Sequence, residues 1–131
     1  MNLIVDTHIA IWFVTDSHQL SKSDKNLIEN PGNRCFISVA SLWEMGIKYS
    51  LGKLKLKTEL KKIFELFSES GFILLPVTPE HILTNAALPF HHRDPFDRLI
   101  LAQAKREGFS VLSKDKEFEK YNINLIRNKS K

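Results

Sequence analysis

Short apolar runs alternate along this chain with stretches whose apolar residues recur every three or four positions. Residues 2–6 (NLIVD) form an apolar run closed by an acid, the pattern of a strand buried on both faces of a parallel sheet. Comparable runs occupy residues 35–38, 72–77, 109–113 and 123–126, and Pro76 puts the third of them at a sheet edge or a strand end. Helical periodicity fills the intervals. A helix capped by Thr7 is expected over Ile9–Val14, and a short one near Asp24–Asn30 before the Pro31-Gly32 turn. The next carries Ala40, Trp43, Ile47 and Leu51 on one face and ends at Gly52. Lys53–Lys57 alternates and reads as extended chain or a loop edge, after which Thr58 caps a helix bearing Leu60, Ile63, Phe64 and Phe67. Thr78-Pro79 starts a helix through Glu80–Ala87, Asp94-Pro95 opens a long one to Glu107 that stops at Gly108, and a short one lies near Lys116–Tyr121. Strands alternating with helices predict an α/β fold, a three-layer α/β/α sandwich around a parallel sheet of about four to five strands.

Composition leaves that picture intact. The 131 residues fit one domain, 1–131, with 43% apolar and 26% charged residues. No apolar run reaches the roughly 18 residues of a membrane span. The apolar N-terminus lacks a basic leader and carries Asp6, which argues against a signal peptide. The one cysteine, Cys35, has no internal partner and reads as a buried, reduced thiol, so a cytoplasmic protein is expected. Charge changes the picture more. The net +4 is uneven, with four Lys/Arg against five Asp/Glu in residues 1–52 and fifteen against ten in residues 53–131. The basic excess gathers at Lys53, Lys55, Lys57, Lys61 and Lys62, and again at Arg127, Lys129 and Lys131. Such clusters attract phosphate backbones, although a solvated face is the commoner meaning of a charge run.

The acids carry the candidate chemistry. Several stand where helix caps belong: Asp94 and Asp97 in DPFD, Glu44 three residues after Ser41 in a capping-box pattern, and Asp115 ahead of a short helix. Asp6 resists that explanation, because an acid at the end of a buried strand is costly without a partner. Their joint placement points elsewhere. Asp6 ends the first strand, Asp115 follows the fourth, Glu44 lies in the helix after the second, and Asp97 lies in the helix leading into the fourth. Parallel sheets bind ligands outside the carboxyl ends of their strands, and these acids belong to that crevice. Two carboxylates about 4 Å apart repel by roughly 4 kcal/mol at an effective dielectric near 20, so four ionised together require a cation. An all-oxygen donor set favours Mg²⁺, with Mn²⁺ as the alternative, over Zn²⁺. The adjacent pair His91-His92 lacks the spacing of a zinc helix and is assigned surface or supporting roles. Arg93, Arg98 and Lys114 lie beside the acids in sequence and are candidate phosphate contacts, with salt bridges inside the cluster as the alternative.

These residues carry a family resemblance. LIVDTH at the start, SVASLWEMGIKYSLGKL in the second quarter, HRDPFDRLILAQA in the third and LSKDKEF near the end, in this order and spacing, resemble PIN-domain ribonucleases, in particular the VapC-type toxins of bacterial toxin–antitoxin pairs. The resemblance covers almost the whole chain. It implies a PIN-like fold and four catalytic, metal-binding acids at Asp6, Glu44, Asp97 and Asp115, with Asp94 as cap, auxiliary ligand or supporting group. It further implies that Thr7, Ser38 and Ser113 are hydroxyls that support the acids. The implied activity is metal-dependent endoribonucleolytic hydrolysis of tRNA, rRNA or mRNA, in which a metal-bound water of lowered pKa attacks the phosphate and translation is inhibited. The implied partners are a VapB-like antitoxin and a second copy of the chain, with Trp43, Tyr49, Leu54, Leu56, Phe64 and Phe67 as candidate surface. Core packing is the stronger expectation for Trp43, Phe64 and Phe67. A receiver-like phospho-acceptor would need paired acids near the first strand, and a D-x-D phosphatase an acid where His8 stands. A structure-specific DNA nuclease and a non-catalytic binding module are the remaining alternatives.

Overall fold

The computed structural model describes residues 1–92 and 94–128. Five strands are present among these residues: β1 (Asn2–Val5), β2 (Arg34–Ser38), β3 (Ile73–Leu75), β4 (Ser110–Leu112) and β5 (Asn124–Ile126). The helices are α1 (Thr7–Val14), α2 (Lys22–Glu29), α3 (Val39–Ser50), α4 (Leu60–Glu69), α5 (Pro79–Ala87) and α6 (Pro95–Glu107), with a 3-10 turn over Lys116–Lys120. The strands form one parallel sheet in the order β3-β2-β1-β4-β5. The expected strands, their parallel pairing and the helix layers on both faces are all found.

β1 is central, pairing Leu3 with Cys35 of β2 on one side and with Ser110 of β4 on the other. Its side chains alternate between the two layers, as strand geometry requires. Leu3 and Val5 join Ile9, Ile37, Met45, Ile63 and Phe67 under α1, α3 and α4. Ile4 joins Phe36, Ile100, Leu101, Val111 and Phe118 under α6. A strand with both faces and both edges covered has no polar side, which explains why its buried residues Leu3, Ile4 and Val5 are all apolar. β3 is an edge strand, as Pro76 just beyond it predicts.

Three local details differ from the sequence reading. Asp6, not Thr7, caps α1, its carboxylate accepting from the Thr7 N–H at 2.8 Å. The N-cap of α4 is Glu59, which makes no side-chain cap bond, rather than Thr58. α3 starts at Val39 with Ser38 as its cap, so Ser41 and Glu44 lie inside the helix and form no capping box. Inside, α3 buries Ala40, Ser41, Glu44 and Met45, and of the expected apolar face only Ala40 points inward: Trp43 is 63% exposed and Leu51 62%. Phe67 is core, and Phe64 packs half-buried against it.

The long helix α6 is positioned by its ends. Asp94 caps it, one carboxylate oxygen accepting from the N–H groups of Phe96 and Asp97 at 2.9 and 3.2 Å. Gly108 closes it in a left-handed conformation (φ 72°) that a residue with a Cβ adopts only with strain. A helix that feeds a parallel strand runs back against it. The first turn of α6, with Asp97, therefore lies by the carboxyl ends of the strands although no strand precedes it.

Candidate metal centre

Four chain segments deliver acids to the carboxyl ends of β1, β2 and β4. Asp6 follows β1 directly, held by the backbone bond from its N–H to Leu112 O of β4. One of its oxygens accepts from Thr7 N–H and the other from Ser113 Oγ at 2.8 Å. Ser113 in turn accepts the Asp115 N–H at 3.0 Å, so one hydroxyl locks the two acids into a shared frame. Asp115 caps the 3-10 turn through Glu117 N–H at 2.9 Å. Glu44 is only 4% exposed on the inner face of α3. It takes a hydrogen bond from Thr7 Oγ1 at 3.1 Å and an ion pair from Lys48, one turn on, at 2.9 Å. Thr7 Oγ1 also lies 2.8 Å from Ser41 Oγ. Thr7 and Ser113 thus support acids as expected. Ser38 instead caps α3 and donates to Gln103 of α6 at 2.6 Å, so it fixes the helix that carries Glu44 rather than touching an acid.

Asp97 faces this group from the first turn of α6. Its Oδ2 lies 3.2 Å from His92 Nε2, and Asp115 Oδ2 lies 2.8 Å from the same nitrogen. Ligand atoms of His92, Asp97 and Asp115 all fall within 4.8 Å of one another. Burial, followed by the fields of Asp6, Asp94, Glu44 and Asp115, pushes the Asp97 carboxyl up to about 8. Burial also raises Asp6, against the opposing hydrogen bonds from Ser113 and Thr7. A carboxyl forced to stay protonated at neutral pH marks a site whose negative charge the protein itself does not balance. Lys48, raised chiefly by its bond to Glu44, is a cation at the rim among the described residues. The donors are oxygens with one imidazole beside them, a set that fits a hard divalent cation.

Two expected phosphate contacts are engaged elsewhere. Arg98 is buried, and its guanidinium donates to the carbonyls of Pro89 (2.8 Å), Asn85 (3.0 Å) and Leu88 (3.3 Å) and to Tyr121 Oη (3.4 Å). The Phe90 ring covers its Cζ at 4.1 Å. Arg98 therefore fastens the end of α5 to α6. Arg98→Met should lower stability by about 2–4 kcal/mol in urea unfolding, since it strands buried carbonyls. Lys114 turns away from the acids: its Nζ bonds Asn128 O at 3.0 Å and pairs at 3.5 Å with Asp24, which is 0% exposed. Arg93, Lys129 and Lys131 lie outside the described residues. The sequence suggests Ser41 only as a helix cap and gives Lys48 no role. Lys48 has a local signal, because Glu44 four residues before it on a helix is a favourable ion-pair spacing.

Known proteins share this architecture. Ribonuclease VapC22 of Mycobacterium tuberculosis is 24% identical over 120 residues, which are 91% of each chain. Among solved structures, the chain is similar to one in VapBC2 from Rickettsia felis bound to a promoter DNA fragment (TM-score 0.72, 20% identity, 98% of this chain and 99% of that one). It is likewise similar to a chain in VapBC-1 from nontypeable Haemophilus influenzae (TM-score 0.70, 16% identity, 97% and 98%). The model of the PIN domain matches residues 3–124, nearly the full length, and includes all four acids. The chain belongs to the PIN domain family.

Proposed function

We propose that this chain is a single-domain, metal-dependent endoribonuclease, the toxin of a toxin–antitoxin pair, acting in the cytoplasm on tRNA, rRNA or mRNA. The observation that carries the reading is the meeting of Asp6, Glu44, Asp97 and Asp115 at the strand ends of a PIN fold, with Asp97 raised to about 8 by burial and by the neighbouring acids. Asp6 and Asp97 would hold Mg²⁺, or Mn²⁺, with Glu44 and Asp115 binding directly or through water. Bound there, the cation supplies a water nucleophile of lowered pKa and polarises the scissile phosphate. The chain's own part is orientation. Ser113 fixes Asp6 relative to Asp115, Thr7 fixes Glu44, and the Asp94 cap aims the first turn of α6. The histidine nearest the acids is engaged with Asp115, so the reading assigns no general base among the side chains.

The names of the relatives support the partner reading. The two structures above are VapBC assemblies, and a further similar structure, VapBC-5 from Mycobacterium tuberculosis, is of the VapBC family of toxin–antitoxin systems; an antitoxin of the VapB kind would cover the acids here. The outward stripe of α3, with Trp43, Ile47 and Leu51 one turn apart, suits such a partner or a second copy of the chain, since apolar residues grouped on a surface favour association. Among the described residues no helix is long and apolar enough to cross a membrane. The test is cleavage of folded RNA by the purified chain. Cleavage should require millimolar Mg²⁺ or Mn²⁺ and stop with chelator, whereas equal cleavage in chelator would overturn the reading.

A further inference from the structure

The geometry points to His92 as a positioning residue that holds Asp115 in place opposite Asp97, by donating its Nε2–H to Asp115 while its other nitrogen is taken by the backbone. The inference rests on the proposed metal site but concerns a residue that site does not use as a ligand. Nδ1 of His92 accepts the N–H of Asp94 at 3.1 Å, so the neutral ring carries its proton on Nε2. That proton faces Asp115 Oδ2 at 2.8 Å, with Asp97 Oδ2 at 3.2 Å. A ring in this tautomer is a donor and has no lone pair to give a cation.

The ring is fastened on several sides. The N–H groups of His91 and His92 both donate to Tyr121 Oη, at 3.0 and 2.8 Å, and Arg98 reaches the same oxygen at 3.4 Å. The ring also packs at a tilt on Phe118, 5.7 Å between centroids. Phe118 and Tyr121 belong to the turn that Asp115 caps. His92 therefore bridges two segments, the start of α6 with Asp97 and the 3-10 turn with Asp115. Among the described residues, Asp115 is otherwise held by two local hydrogen bonds, its own N–H donating to Ser113 Oγ and its Oδ1 accepting from Glu117 N–H. Hydrogen bonds from outside a ligand set commonly orient the ligands, and their loss costs about 10–100-fold in metal affinity.

The experiment is calorimetric titration of Mn²⁺ into the intact metal-free protein. His92→Leu keeps an apolar group on Phe118 but removes the donor, and should weaken Mn²⁺ binding about tenfold. His92→Gln, whose amide nitrogen reaches the Nε2 position, should bind within about threefold of the parent. His92→Leu added to Asp115→Asn should cost little beyond Asp115→Asn alone, since the two act through one carboxylate. Unchanged or tighter binding by His92→Leu, or equal weakening by His92→Gln, would overturn the inference. So would a ¹⁵N imidazole spectrum of the parent showing the proton on Nδ1, a measurement that needs no variant to fold. Asp97→Asn separates the two claims. If it binds Mn²⁺ as the parent does, the metal site itself fails. If it loses binding while His92→Leu keeps it, only the role of His92 fails.

Discussion

Asp97→Asn should reduce RNA cleavage at least about 100-fold and also make the metal-free protein more stable at pH 8, by about 2 kcal/mol. The two effects share a cause. Burial and the fields of four neighbouring acids push the Asp97 carboxyl up to about 8, against 3.8 for an ordinary aspartate. The folded chain thus holds a proton that the unfolded chain releases near pH 4. The stability associated with that proton is complete below the ordinary carboxyl range, declines as pH rises, and is gone once pH passes about 8. The full span would correspond to about 6 kcal/mol, but partial solvation and sharing of the repulsion among the acids reduce what one substitution recovers. An amide keeps an acceptor for His92 and carries no charge to repel. In chelator, the melting temperature of Asp97→Asn should exceed the parent's by about 8 °C at pH 8, with the gap closing towards pH 4. A variant less stable than the parent at pH 8 would show that the acids do not crowd one another.

The same repulsion makes the metal-free protein a sensitive reporter of cations. Mn²⁺ at about 100 times its dissociation constant should add about 2.7 kcal/mol to stability at pH 8. It should add less at pH 6, where a proton must leave Asp97 first. Titrations in buffers of different ionisation enthalpy should register that released proton. Asp6→Asn should lose most of the stabilisation. Na⁺ at equal ionic strength should not reproduce it, because screening reaches buried pairs poorly. Equal stabilisation by Na⁺ would reduce the effect to general screening.

Much of this is legible in the sequence. β1, β2 and β4 are recognisable because strands buried on both faces are built mostly of apolar residues in an unbroken run. Asp6 stood out for the converse reason, an acid where burial penalises one. For α3 the same rule, applied locally, points to the wrong face. Its apolar positions 43, 47 and 51 form a helical stripe, and nothing local says that the polar side, with Ser41 and Glu44, is the one turned inward. That inversion is the cost of bringing a carboxylate to the centre. Thr7 and Lys48 offset it with hydrogen bonds that only the folded chain assembles. Arg98 and Lys114 were beyond sequence reasoning for a related cause. Their partners are carbonyls of residues 85, 88, 89 and 128 and the buried Asp24, and a backbone carbonyl leaves no mark in a sequence. In the sequence His92 is only half of a pair with the wrong spacing for zinc. Its role depends on which nitrogen the Asp94 N–H occupies, a matter of geometry rather than residue type.

The central claim is that these acids cut RNA by way of a cation-activated water, and the chemistry of the new ends tests it most directly. In-line attack by water with loss of the 3′ oxygen leaves a 5′-phosphate and a 3′-hydroxyl. Ends from a brief digestion by the purified chain in Mg²⁺ should ligate without prior phosphorylation, and Asp6→Asn should produce none. Fragments ending in a 2′,3′-cyclic phosphate, or identical fragments from Asp6→Asn, would contradict the account.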